Sequence, residues 1–103
     1  MALPAVVAAL LAQVGGTVGV VCPHGLVEQV RAVLPEDPRV SAVDPWQVKG
    51  LEYDGCVVLD PHGIVEESRH PVAGLRSLYV ALTRATQRLV VVSHEPLETL
   101  LTP

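Results

Sequence analysis

The chain has 103 residues, half of them apolar, and its eleven acidic side chains outnumber seven basic ones to give a formal charge of −4. That length makes one domain with one core, and the acidic balance excludes a general electrostatic pull on nucleic acid, so any such contact has to be local or made by other domains. With one Trp, two Tyr and no Phe, the core falls to Val, Leu and Ala, which suits helices packed on a valine-rich sheet.

The apolar stretch Ala2 to Ala12 lacks a preceding Lys or Arg, contains Pro4 and has no clear cleavage site before Gly15-Gly16, so it is read as a helix rather than a secretion signal. It is too short to span a bilayer. Pro4 fits a first helical turn and Gly15-Gly16 a helix end, which predicts a helix over 4–14. The β-branched run 17–22 predicts a strand buried on both faces. Leu26, Val27, Val30, Val33 and Leu34 recur at helical spacing over 25–34, and Pro35 and Pro38 stop that helix before a second strand at 39–43. Asp44-Pro45 breaks the run and 46–54 is a polar connection. A third strand spans 55–60 and ends at Pro61-His62-Gly63. Residues 64–71 read as a solvated loop. Leu75, Leu78, Tyr79 and Leu82 predict a helix over 72–86, followed by a strand at 88–93 and a terminal helical turn at 96–101. Strands alternating with helices imply a single α/β domain with a mostly parallel sheet covered on both sides.

Cys22 and Cys56 lie in apolar runs with no ligand spacing, which points to free buried thiols in a reducing, cytoplasmic setting. The four histidines have no H-x-x-x-H spacing, and no metal site is expected. No nucleophile neighbourhood is visible in the sequence.

The polar groups that remain sit in connections. Lys49, Gly50 and Glu52 enter the third strand. Gly50 would let a backbone approach a ligand and Glu52 could accept from a ribose hydroxyl, while a plain turn with a solvated ion pair explains the same residues. Arg84 follows an apolar helix face and could reach a transferring phosphate, with Arg76 two turns earlier and Arg88 one turn on. The alternative is that these arginines complement the negative end of the helix. Trp46 could stack on a base, although a place in the core suits the only tryptophan of a chain poor in large side chains. Val57 to Asp60 resembles a Mg²⁺-holding strand end, but no G-x-x-x-x-G-K-[ST] loop accompanies it, so a turn-forming Asp-Pro is the better reading.

Val48-Lys49-Gly50-Leu51-Glu52-Tyr53-Asp54 resembles motif V of the UvrD/Rep-like superfamily 1 helicases, and Leu78-Tyr79-Val80-Ala81-Leu82-Thr83-Arg84-Ala85 resembles their motif VI. Their order, with a strand between them, is that of the C-terminal part of the second RecA-like domain. The Asp60-Pro61 pair and Thr86-Gln87-Arg88-Leu89 are most similar to the HelD, or helicase IV-like, branch, which includes RNA polymerase remodelling factors.

The resemblance implies a RecA-like lobe in which Arg84 reaches the γ-phosphate of ATP, Glu52 contacts the ribose, Gly50 allows close approach, and Lys49 and Arg76 border the nucleotide. ATP and Mg²⁺ would be bound chiefly by the first RecA-like domain of the same parent protein, and DNA or RNA polymerase would be engaged through that parent. Where UvrD-type motif V has Thr-x-His, the histidine touching single-stranded DNA, this chain has Asp44 and Trp46, a departure that argues against ordinary DNA-strand tracking and favours the HelD-like branch. The alternative from another class is a catalytically silent interaction module with the same fold.

Overall fold

Runs of β-branched residues pair side by side into one sheet. The computed structural model describes residues 3–48, 50–93, 95 and 97–100. In chain order the elements are α1 (Leu3–Gln13), β1 (Val18–Val21), a tight helical turn (His24–Leu26) leading into α2 (Val27–Val33), β2 (Val40–Val43), β3 (Tyr53–Leu59), α3 (Pro61–Glu66), α4 (Pro71–Leu82), β4 (Ala85–Val92) and a closing turn at Leu97–Leu100. The strands lie in the order β2-β1-β3-β4 and every pairing is parallel.

Side chains alternate across the pleat, so each central strand feeds two cores. On one face Val18, Val20 and Val57 meet Val7, Leu10, Val27 and Val30 of α1 and α2. On the other, Val21, Cys56 and Val58 meet Ile64, Leu78 and Ala81 of α3 and α4. The expected α/β domain with helices on both sides of a parallel sheet is what forms. Cys22 and Cys56 are free and buried, and burial pushes both thiols up to about 12, which keeps them protonated and inert at neutral pH. No described helix is long and apolar enough to cross a membrane.

Three sequence expectations are corrected. Residues 64–71 are not simply a solvated loop, because the chain turns into α3 directly after β3 and buries Pro61, His62 and Ile64. Asp60 makes this turn: it takes a left-handed backbone, φ 54°, and its carboxylate accepts from the Gly63 N–H at 3.1 Å, while Pro61 occupies the first helical position. Asp60 is therefore a helix cap.

The helix predicted to 86 ends at Leu82, where the Thr83 hydroxyl lies 2.9 and 3.1 Å from the carbonyl oxygens of Tyr79 and Val80 and shares its one proton between them. Strand pairing then captures Ala85, opposite Tyr53, three residues before the expected strand start. The buried stripe of α4 is also rotated from the expected one: Gly74, Leu78 and Ala81 face inward, whereas Leu75 and Tyr79 are 44% and 68% exposed.

Gly74 sets that rotation, since a Cβ there would run into the carbonyl oxygen and Cα of Val65 in α3. Gly74→Ala should thus lose about 1–3 kcal/mol by overpacking, even though alanine is the better helix former. Urea unfolding checks this, and an unchanged or raised midpoint would show that α3 and α4 can part at no cost.

Candidate functional site

In a parallel sheet with helical crossovers, all strands begin at one edge and end at the other. At the amino edge the structure joins the two motif segments. The Tyr53 N–H donates to the Arg84 carbonyl at 2.9 Å, and Tyr53 pairs with Ala85, so Glu52 and Arg84 stand side by side where β3 and β4 begin. Glu52 is exposed and makes no hydrogen bond or ion pair with any described residue. Gly50 has φ +82°, a left-handed turn that glycine adopts without strain, and open space lies around the position of its absent Cβ. Lys49, the remaining member of this segment, lies outside the described residues.

The Arg84 side chain is half-buried and anchored on its own helix: Nε donates to the Val80 carbonyl at 3.1 Å and one terminal nitrogen lies 3.4 Å from the Thr83 hydroxyl. It thus complements the negative end of α4. A guanidinium has five N–H donors, so about three make no hydrogen bond to a described residue, while the anchor limits the entropy lost on binding. Arg76 is exposed on α4, about 9 Å along the axis from Leu82 at 1.5 Å per residue. The structure therefore does not bring it to the Glu52–Arg84 junction.

Electrostatics limit what this edge can do alone. Helices α1, α2 and α4 all finish just before a strand begins, so they aim their negative ends at the amino edge. Such an edge can present a guanidinium to a phosphate but cannot cradle a triphosphate.

The carboxyl edge holds a second constellation that the sequence reading missed. A pocket of about 200 Å³ is lined by residues including His24, Asp44, Trp46, Ile64, Glu67 and Ser77. The buried Asp44 accepts from the backbone N–H groups of Trp46 and Gln47, each at 2.8 Å, and its other oxygen bonds His24 Nδ1 at 2.8 Å. Glu67 accepts from the N–H groups of His24 and Gly25 at 2.7 and 3.0 Å. In doubly wound folds the turn after the first strand is a favoured ligand position; here the protein's own carboxylate occupies those N–H groups. The signal in the sequence was Pro23-His24-Gly25 directly after a buried strand, but its partner Glu67 fell in a segment read as solvated loop.

Trp46 does not join the core, as expected for it; it is 75% exposed at the rim of this pocket. The Asp44 turn explains the difference, because its hydrogen bond to the Trp46 N–H fixes the backbone so that Val48, fully buried, enters the core instead. The connection therefore starts at the carboxyl edge with Trp46 and ends at the amino edge with Glu52, and the two do not share a site.

The His24–Asp44 pair gives the fold a pH dependence. The hydrogen bond to Asp44 raises the His24 pKa above its ordinary 6.5. For Asp44, burial pushes upward but is outweighed by the hydrogen bonds from His24, Gln47 and Trp46, leaving its pKa below the ordinary 3.8. A raised histidine contributes its stability in full below 6.5 and loses it as pH climbs through the folded-state value, while a depressed carboxylate contributes above 3.8 and loses it on acidification. The pair is thus strongest in mildly acidic solution. Stability should fall slightly from pH 6 to 8, and His24→Gln should flatten that slope in urea midpoints measured across this range.

No protein-family model matches the chain, and no curated protein matches it. Among solved structures it is similar to the C-terminal domain of a possible DNA helicase from Lactobacillus plantarum WCFS1, with a TM-score of 0.65 and 23% identity over 95% of this chain and 70% of that one. At that identity the likeness shows a shared fold.

Proposed function

We propose that the chain is the C-terminal RecA-like lobe of an ATP-driven superfamily 1 motor, supplying motif V and the motif VI arginine to a nucleotide site completed by another domain. The observation that carries this reading is the β3–β4 register, which sets Glu52 and Arg84 at one junction although 32 positions separate them in the chain. Glu52, with no partner among the described residues, would accept from the ribose, and the left-handed turn at Gly50 leaves room for that approach. Arg84 would extend its free N–H groups to the γ-phosphate as negative charge grows there. Among the described residues no His, Cys, Asp or Glu cluster suits a metal ion, so Mg²⁺ would be held with the triphosphate by the first RecA-like lobe. The fold shared with a helicase C-terminal domain supports the reading, and the wording around motif VI favours the HelD-like branch, with DNA or RNA polymerase engaged through the parent protein.

The test is ATP turnover by a protein that joins this domain to a Walker A lobe, with the domain alone as control. The proposal expects turnover from the joined protein and none from the domain. Equal turnover by the isolated domain would overturn it, and no turnover from the joined protein would assign the chain to the silent interaction module.

A further inference from the structure

We propose that the carboxyl-edge pocket is a docking site for an arginine side chain of a partner protein. The pocket is independent of the nucleotide reading, since it lies at the opposite edge of the sheet from Glu52 and Arg84. Its wall is Trp46, a residue 75% exposed, and a large aromatic left open beside a pocket is the residue type that dominates binding energy at protein interfaces. A cation over such a face is attracted by the ring quadrupole, most strongly for tryptophan.

The charges around it select the sign of the guest. Asp44 and Glu67 line the pocket with His24, and no arginine or lysine is among the described lining residues, so the local balance is negative even with His24 protonated. A phosphodiester drawn in by stacking on Trp46 would meet these carboxylates, which disfavours nucleic acid here. A guanidinium meets acceptors instead. Each Glu67 oxygen accepts one backbone N–H and retains a second lone pair, so a bidentate pair forms without breaking the existing bonds. The Ser77 hydroxyl, with no hydrogen bond to another described residue, adds an acceptor from α4. Two backbone donors already hold the Glu67 carboxylate in place, and such preorganisation reduces the ordering cost of binding.

Trp46 is the only tryptophan, so its fluorescence reports directly on this pocket. A short peptide carrying a single arginine is titrated into the domain, beside the same peptide with citrulline and beside an oligothymidylate. The expected result is a saturable change with the arginine peptide alone, weakened by added salt and weakened about ten-fold or more in Glu67→Gln. Equal response to citrulline, no saturable change at millimolar peptide, or an unchanged affinity in folded Glu67→Gln would overturn the proposal. Preferential binding of the oligothymidylate would overturn it too and assign Trp46 to nucleic acid. Should Glu67→Gln unfold, the arginine–citrulline comparison on the unaltered domain decides.

Discussion

Arg84→Ala, placed in a protein that joins this domain to a Walker A lobe, is expected to lower ATP turnover about 10³-fold or more, the scale on which a guanidinium at a transferring phosphoryl group acts. The loss should fall on kcat, with KM for ATP little changed, because in the proposed site the triphosphate would be gripped in the ground state by the other lobe and the guanidinium would contribute chiefly as charge develops. Folding should be nearly untouched: the residue is half-buried, and its contacts here are the Val80 carbonyl and the Thr83 hydroxyl, a helix-end interaction worth about 0.3–1 kcal/mol. Arg84→Lys should rescue little. A lysine reaching the phosphate would give up the Val80 anchor, and a lysine keeping the anchor would have no planar fork left to present. Turnover measured with circular dichroism on the same variants checks this, and full activity in folded Arg84→Ala would reduce Arg84 to a helix cap.

The sequence displayed the layers of this fold clearly because its signals were local. Pro4 and Gly15-Gly16 bracket α1, and valine-containing runs bounded by glycine, proline or aspartate mark the first three strands. The parts it concealed depend on long-range geometry. Asp60-Pro61 was legible as a stop, but its second meaning, a cap that starts α3, needed the left-handed backbone at Asp60. The inward stripe of α4 turned on Gly74 meeting Val65, a contact that hydrophobic spacing cannot reveal when Leu75 and Tyr79 offer an equally periodic pattern. The candidate sites divided in the same way: Glu52 and Arg84 stood out through their resemblance to helicase motifs, while the His24–Asp44–Glu67 arrangement links residues 20 and 43 positions apart that share no motif. Trp46 was placed wrongly because composition argued for using every large side chain inside, whereas the turn made by Asp44 gave that role to Val48.

Ile64→Ala provides the sharpest measure of that hidden part. Ile64 is 2% exposed and packs in a cluster with Val21, Cys56, Val58 and Leu78, so its truncation should cost about 2–4 kcal/mol through lost burial and the cavity left behind. A domain of this size holds about 5–15 kcal/mol in total, which makes the change visible as a large drop in urea midpoint. Val72→Ala on the open face of α4, where the side chain is 61% exposed, should stay within about 0.5 kcal/mol. Ile64→Ala removes one carbon more than Val72→Ala, worth about 0.8 kcal/mol when buried, so burial accounts for most of the difference. Ile64 also lies three residues before Glu67, whose carboxylate ties α3 to the His24 turn. Loosening it should therefore alter Trp46 fluorescence before global unfolding begins. Equal costs for the two variants would mean that α3 is not part of the core, and the pocket would then lose the wall that holds Glu67 in place.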